Sequence, residues 1–317
     1  MINTQALLIK MLYLFSIMFI GFFAAKLKYM NDEVNKNISR LVAFVTAPLQ
    51  VLASVLKPHN HPIKNKDALM LTGIAFAMYI VLILVAKIFP IILRPNKKQK
   101  GCYQYLFIFS NIGYMGYPII DALFGEEYRF YGSIFVLAFD CFCWTYGVAL
   151  VSGEKLKFDK NMFLKPMVIA SFLAYILYFS NFSDVAPNYV GETVYGTLYD
   201  VVSSIGNITS VLAMLIIGCS LAHLSFKQVF LRWQIYVLAA AKMIIFPILF
   251  WLVIRNFITD QLILGVIMVI VSMPAATNAT IISYQFGGDE NLASSGVFLT
   301  TLLSVITIPS LMTFFFK

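Results

Sequence analysis

Charge is what this chain has least of. Only 12% of its 317 residues are Asp, Glu, Lys or Arg, against roughly 25% in soluble domains. With 60% hydrophobic residues, no water-facing surface would be left over, and a soluble core is excluded. Histidine is scarce too, with three in all. His59 and His61 in KPHNHPIK have no acidic or cysteine neighbour, so they read as a solvated loop, with neither a metal nor another cofactor expected. The four cysteines, Cys102, Cys141, Cys143 and Cys219, lie in or beside apolar segments and read as small packing residues. No Ser/His, His/Glu or Asp/Asp pairing at catalytic spacing falls at membrane depth, which argues against an enzyme. The net charge of +8 lacks the basic stripe interleaved with aromatics that nucleic acid would need. Lys and Arg cluster instead in loops, as in proteins whose basic residues set membrane orientation.

What is present is a series of apolar runs of roughly twenty residues, the length that crosses a hydrocarbon layer. They predict ten spans, near 6–25, 38–56, 69–92, 103–123, 130–151, 166–182, 199–221, 233–257, 262–282 and 293–316. The first resembles a signal peptide, but further runs of the same kind follow, so it reads as a retained helix. The polar stretch 154–165 divides the chain into halves, 1–153 and 166–317. Fourteen Lys and Arg residues fall in the loops of one side and seven on the other. The richer side is expected to be cytoplasmic, with both termini outside a cell membrane.

The halves resemble each other at an offset of 162. Pro118-Ile119-Ile120 leads to Phe124-Gly125-Glu126-Glu127, and Thr280-Ile281-Ile282 leads to Phe286-Gly287-Gly288-Asp289. Two five-span units in tandem have opposite orientations, because five is odd. That is the inverted repeat common in secondary transporters.

Spans four and nine should not be continuous helices. Span four carries Asn111, Gly113, Gly116 and Pro118, and span nine carries Pro274, Thr277 and Asn278. Proline removes a helical hydrogen bond, and freed backbone groups survive at membrane depth only beside protein or a water-filled cavity. Simple proline kinks are the plainer reading. The matching positions in the two halves favour broken helices that aim N-termini at an anion and carbonyls at a cation.

SNIGYMGYP resembles the fourth helix of the auxin efflux carrier family. SMPAATNATIISYQFGGDENLASSGVFLTTLLSVITIP is similar to that family's ninth and tenth helices, and Lys242–Pro247 and Arg40–Pro48 also look familial. The chain lacks the long central hydrophilic loop of the plant hormone carriers and resembles the short prokaryotic members. The resemblance implies an all-α integral membrane fold of ten helices in two inverted repeats, with helices four and nine crossing at their breaks. It also implies a mobile transport domain that slides elevator-like past a dimerising scaffold.

Asp140 and Lys242 are the most deeply placed charges, and Asp121 lies just beyond Pro118. Charges at mid-depth are costly and usually face a partner or a cavity. Three roles are open: a static Asp140–Lys242 bridge, a proton or cation site at Asp140, or attraction of an anionic substrate by Lys242. Lys87 is expected to snorkel, and Asn207, Thr209 and Ser210 to make helix contacts.

The expected activity is therefore alternating-access transport of a small organic anion. Asn111 and Asn278 would donate to a carboxylate, and a proton or sodium ion would be the coupling partner. A sodium-coupled symporter of the bile-acid type and a non-transporting ligand sensor are the alternatives.

Overall fold

At membrane depth no water is available, so backbone groups bond within their own segment and helix is the default. A computed structural model describes residues 4–57, 65–153, 164–222 and 232–316, and among these it contains helices and no β-strand. The loop with His59 and His61, and most of the 154–165 linker, lie outside the described residues.

The helices are α1 Thr4–Lys26, α2 Asp32–Leu41, α3 Ala47–Leu56, α4 Asn65–Ala86, α5 Phe89–Leu93, α6 Lys97–Ile108, α7 Tyr117–Phe124, α8 Arg129–Phe142 and α9 Val148–Ser152. They continue with α10 Pro166–Phe179, α11 Phe182–Val190, α12 Glu192–Ala222, α13 Trp233–Ala240, α14 Phe246–Ile254, α15 Gln261–Val271, α16 Asn278–Phe286 and α17 Glu290–Phe315. Asn31, Asn96, Asp260 and Asp289 start α2, α6, α15 and α17 by accepting first-turn N–H groups, the usual work of these residue types. Gly125 and Gly287 end α7 and α16 at φ 107° and 78°, backbone angles that favour glycine.

Among the described residues there are four π-helical turns: Val42–Thr46, Cys143–Gly147 and Ala241–Ile245 join helices end to end, and Ile112–Gly116 leads into α7. All but Cys143–Gly147 are followed, two residues on, by a proline: Pro48, Pro118 and Pro247.

Seven helical segments, or eight if α10 and α11 form one span bent by 79°, are long and apolar enough to cross a membrane among the described residues. The sequence predicted ten spans. With α10 and α11 counted as one span, the shortfall of two falls on the spans singled out for their interruptions. α6 has 12 residues and α15 has 11, so each piece is too short to qualify alone. Span seven also starts earlier than expected, at Glu192.

α1, α3, α10 and α12 pack as one bundle, with α1 lying along α12 and α3 between α12 and α10. Gly21 and Gly218 let the α1 and α12 backbones meet, since a Cβ on either would strike the other helix's main chain. α4, α6 to α9 and α13 to α17 pack as a second bundle. The two touch mainly through α1 against α7 and α17, and α8 against α3 and α10. Ile20, Phe23, Ile91 and Ile306 are exposed on outer faces, which a bilayer would cover.

Candidate functional site

The interruption in span four lies upstream of where its glycines and proline suggested. The chain leaves helical geometry at Phe109 and Asn111. It resumes in the Ile112–Gly116 turn, which places Pro118 in the first turn of α7. A widened turn moves the preceding carbonyls away from the proline ring, so Pro118 is accommodated without a break of its own. In span nine the chain is non-helical from Ser272 to Thr277.

The two interruptions meet. Ser110 and Ala275 form an antiparallel bridge. The Asn111 N–H donates to the Pro274 carbonyl at 2.8 Å, and the Ala276 N–H to the Phe109 carbonyl at 3.0 Å. The Ala275 N–H is taken by Thr300 Oγ1 of α17 at 3.1 Å. Part of the backbone freed by each break is thus satisfied by the other break and by a neighbouring helix.

Four helix ends converge here, and they differ in sign. The negative, C-terminal end of α6 is covered by Lys242. Its Nζ donates to the Phe107 carbonyl at 2.8 Å, Ser110 Oγ at 3.0 Å and the Phe109 carbonyl at 3.4 Å. No ion pair joins Lys242 to Asp140 among the described residues, so the static bridge is not made. The two positive ends lack side-chain caps: neither Asn111, before Ile112, nor Thr277, before Asn278, accepts an N-terminal N–H of its helix. Asn111 is 4% exposed, and its Nδ2 has no partner. A Cβ on Gly113 would meet nothing within 4 Å, so open space adjoins this N-terminus, whereas a Cβ on Gly116 would rest against Ile112 and Met273.

Asn278 is placed differently. Its Oδ1 accepts from the Tyr105 hydroxyl at 2.9 Å, and its Nδ2 faces Cys143 Sγ at 3.6 Å. Tyr105 and Cys143 are themselves 3.1 Å apart. Cys143 is therefore a hydrogen-bonding residue rather than simple apolar packing. So is Cys102, whose sulfur takes the Asp289 N–H.

Asp140 is buried in α8 beside the crossing, next to Phe139, which packs edge-on against Phe109. The Trp144 indole lies beside its carboxyl, and Lys165 stands over the Trp144 ring. Asp140 Oδ2 and the hydroxyls of Tyr79 and Tyr117 are buried without partners.

Asp121 is not at the crossing. It accepts two bonds from Arg129, whose Nη1 reaches Asn207 of α12 at 3.0 Å. Sequence reasoning missed Tyr105, Cys143, Thr300 and Arg129 as partners, since each acts on residues distant in the chain or on another helix.

At the other end of α6, a cavity of about 430 Å³ is lined by Lys87, Lys97, Lys100, Gln104 and Tyr146 among others, with no carboxylate among the described residues. Lys87 thus lines a basic vestibule. Nearby, Asp289 accepts from Gln99 Nε2 at 3.0 Å and Arg232 Nη1 at 3.4 Å.

A family model described as membrane transport protein matches residues 6–163 and 155–312. A protein of Rhizobium meliloti (strain 1021) that carries the provisional name malonate transporter is 24% identical over 312 residues, covering 94% of this chain and 92% of its own. An uncharacterized transporter of Methanocaldococcus jannaschii is 23% identical over 298 residues, covering 91% of this chain and 92% of its own.

Proposed function

The chain belongs to the membrane transport protein family, that of the auxin efflux carriers, and from that premise we propose that it is a secondary transporter moving a small carboxylate anion by alternating access. The observation that carries this reading is the paired crossing of two broken spans with an unpartnered, buried amide donor, Asn111 Nδ2, at an uncapped helix N-terminus. Donors and positive helix ends suit an anion. Asn111, Gly113, Pro274, Thr277 and Asn278 frame the site, with Gly116 and Pro118 shaping the turn that follows it. The name of the rhizobial relative makes malonate the first anion to try.

Two features weigh against sodium at this crossing. Several carbonyls at the crossing already accept: Phe107 and Phe109 from Lys242, Phe109 again from Ala276, and Pro274 from Asn111. Lys242 also places a positive charge beside them. Asp140, buried with one oxygen unpartnered, is the remaining candidate for a coupling proton or cation.

The bundle containing the crossing is the moving body in this reading, the α1, α3, α10 and α12 bundle is the scaffold, and a second copy would dimerise through that scaffold. Ten spans in two inverted repeats, with both termini outside the cell membrane, complete it.

The test is malonate uptake into proteoliposomes. Asn111→Ala and Asn278→Ala should each reduce it by roughly tenfold or more, the loss of a hydrogen bond to a charged ligand, while the protein still inserts. Undiminished uptake in both variants removes the assignment, and uptake that requires a sodium gradient favours the symporter.

A further inference from the structure

Tyr105, Cys143 and Asn278 come from three different helical segments and close a ring of hydrogen bonds. The Tyr105 hydroxyl donates to Asn278 Oδ1, so its oxygen is left to accept from the Cys143 thiol. The sulfur in turn accepts from Asn278 Nδ2. Each member donates once and accepts once, and Tyr105 and Cys143 are 1% and 0% exposed. A closed, buried ring of this kind holds its members in fixed orientations.

The surroundings are built to hold it. Tyr105 packs on Phe109 with ring centroids 4.5 Å apart. Gly147 makes room for both rings, since a Cβ there would come within 2.9 Å of each. Cys143 and Gly147 are the two ends of the one π-helical turn among the described residues that no proline follows. Such turns recur at functional sites, and here the turn delivers the thiol to the Asn278 amide.

A free asparagine side chain can turn over and present oxygen, which repels a carboxylate. In the ring Oδ1 is kept on Tyr105, and one N–H of Asn278 remains outside the three bonds. Asn111 Nδ2, at the other broken span, has both N–H groups unengaged.

We propose that Tyr105 and Cys143 are positioning residues of the anion site, locking the Asn278 amide so that its remaining N–H acts with Asn111 as a donor to a carboxylate ligand. The proposal rests on the carboxylate reading. It adds that selectivity for acceptor ligands is set from behind the site, by preorganisation of a donor.

The test reads binding, so it does not depend on whether the probe is carried. The parent protein, with its native cysteines, and each variant are held a fixed interval above their own unliganded melting temperature across a malonate series, and the fraction that stays folded is read. Malonate should protect against heat, and the half-protecting concentration should rise roughly tenfold in Tyr105→Phe, as expected when a charge-assisted hydrogen bond loses its alignment. In uptake assays on protein with its native cysteines, Tyr105→Phe should raise KM while the maximal rate stays near wild type, and Cys143→Ser, which keeps a donor and an acceptor, should leave KM close to wild type. A merely structural ring would instead lower protein yield or maximal rate at constant KM.

Equal half-protecting concentrations in the parent protein and Tyr105→Phe overturn the positioning role alone. If malonate, succinate and acetate all fail to protect the parent protein, the carboxylate reading falls and the positioning role with it. Should Tyr105→Phe not fold, Cys143→Ala read by the malonate-induced thermal shift decides the matter: a shift as large as that of wild type overturns the proposal.

Discussion

A lysine in the middle of a membrane span is expensive unless its charge is used, and Lys242 uses it on the main chain. Three oxygens at the α6 terminus accept from its Nζ, where a cation also opposes the negative end of the helix. Lys242→Met should therefore lower stability by about 1–3 kcal/mol, the cost of leaving buried acceptors unmade, seen as a lower melting temperature without ligand. An unchanged melting temperature would mean that the carbonyls find other donors. Gly113 predicts the opposite sign. Its backbone lies in a helical turn and a methyl group would meet no protein atom within 4 Å. Gly113→Ala should leave the unliganded protein as stable or up to ~1 kcal/mol more stable, yet shrink the thermal shift that malonate produces by filling space beside Asn111. A full malonate shift in this variant would place the ligand elsewhere. Asn111, Asn278 and the depth of Lys242 are legible in the sequence, because composition inside an apolar run marks them. What Lys242 touches is not, since its acceptors lie more than a hundred residues away in the chain.

Among elements, proline explains more of the local geometry than glycine does. Pro48, Pro118 and Pro247 each stand two residues beyond a π-helical turn. A proline ring clashes with the carbonyl four residues back and cannot donate to it, and widening the turn relieves both problems without breaking the helix. For that reason the interruption of span four is not at Pro118 but at Phe109–Asn111, where pairing with span nine supplies partners. The sequence announced a disturbed span and left its position open, because the pairing is a property of two segments together. Loop contacts at the far end of the second bundle offer a pH test. Burial by itself pushes the Asp289 carboxyl up, but the Leu292 N–H, Gln99 and Arg232 together hold it below its ordinary 3.8. A carboxyl depressed in the folded state adds stability above its unfolded value and loses it as pH falls through the folded one. The melting temperature of the wild type should thus drop on acidification below 3.8 more steeply than that of Asp289→Asn. Parallel acid limbs would show that the cluster contributes nothing at this charge.

For the whole molecule, the number of crossings turns on whether the two broken spans traverse the bilayer or turn back within it. From Lys97 to Phe124 there are 28 residues and from Gln261 to Phe286 there are 26. At helical rise these reach about 40 Å, ample for a hydrocarbon core of roughly 30 Å even with a non-helical step. Polar contacts sort the loops into two groups consistent with full crossing. The loop after span four meets α12 through Arg129 and Asn207, and Glu126 joins the same guanidinium at 3.8 Å. The start of span four instead meets Asp289, after span nine, and through it Arg232, before span eight. Lys98 and Glu126 should therefore face opposite sides, as should Asp260 and Glu290. In protein lacking its four cysteines, Glu126→Cys and Asp260→Cys should react with a membrane-impermeant maleimide on intact cells. Lys98→Cys and Glu290→Cys should react only after permeabilisation. If Lys98→Cys and Glu126→Cys label alike, span four is a re-entrant loop. The inverted repeat would then fail with it, because two units can be opposed only if each crosses an odd number of times.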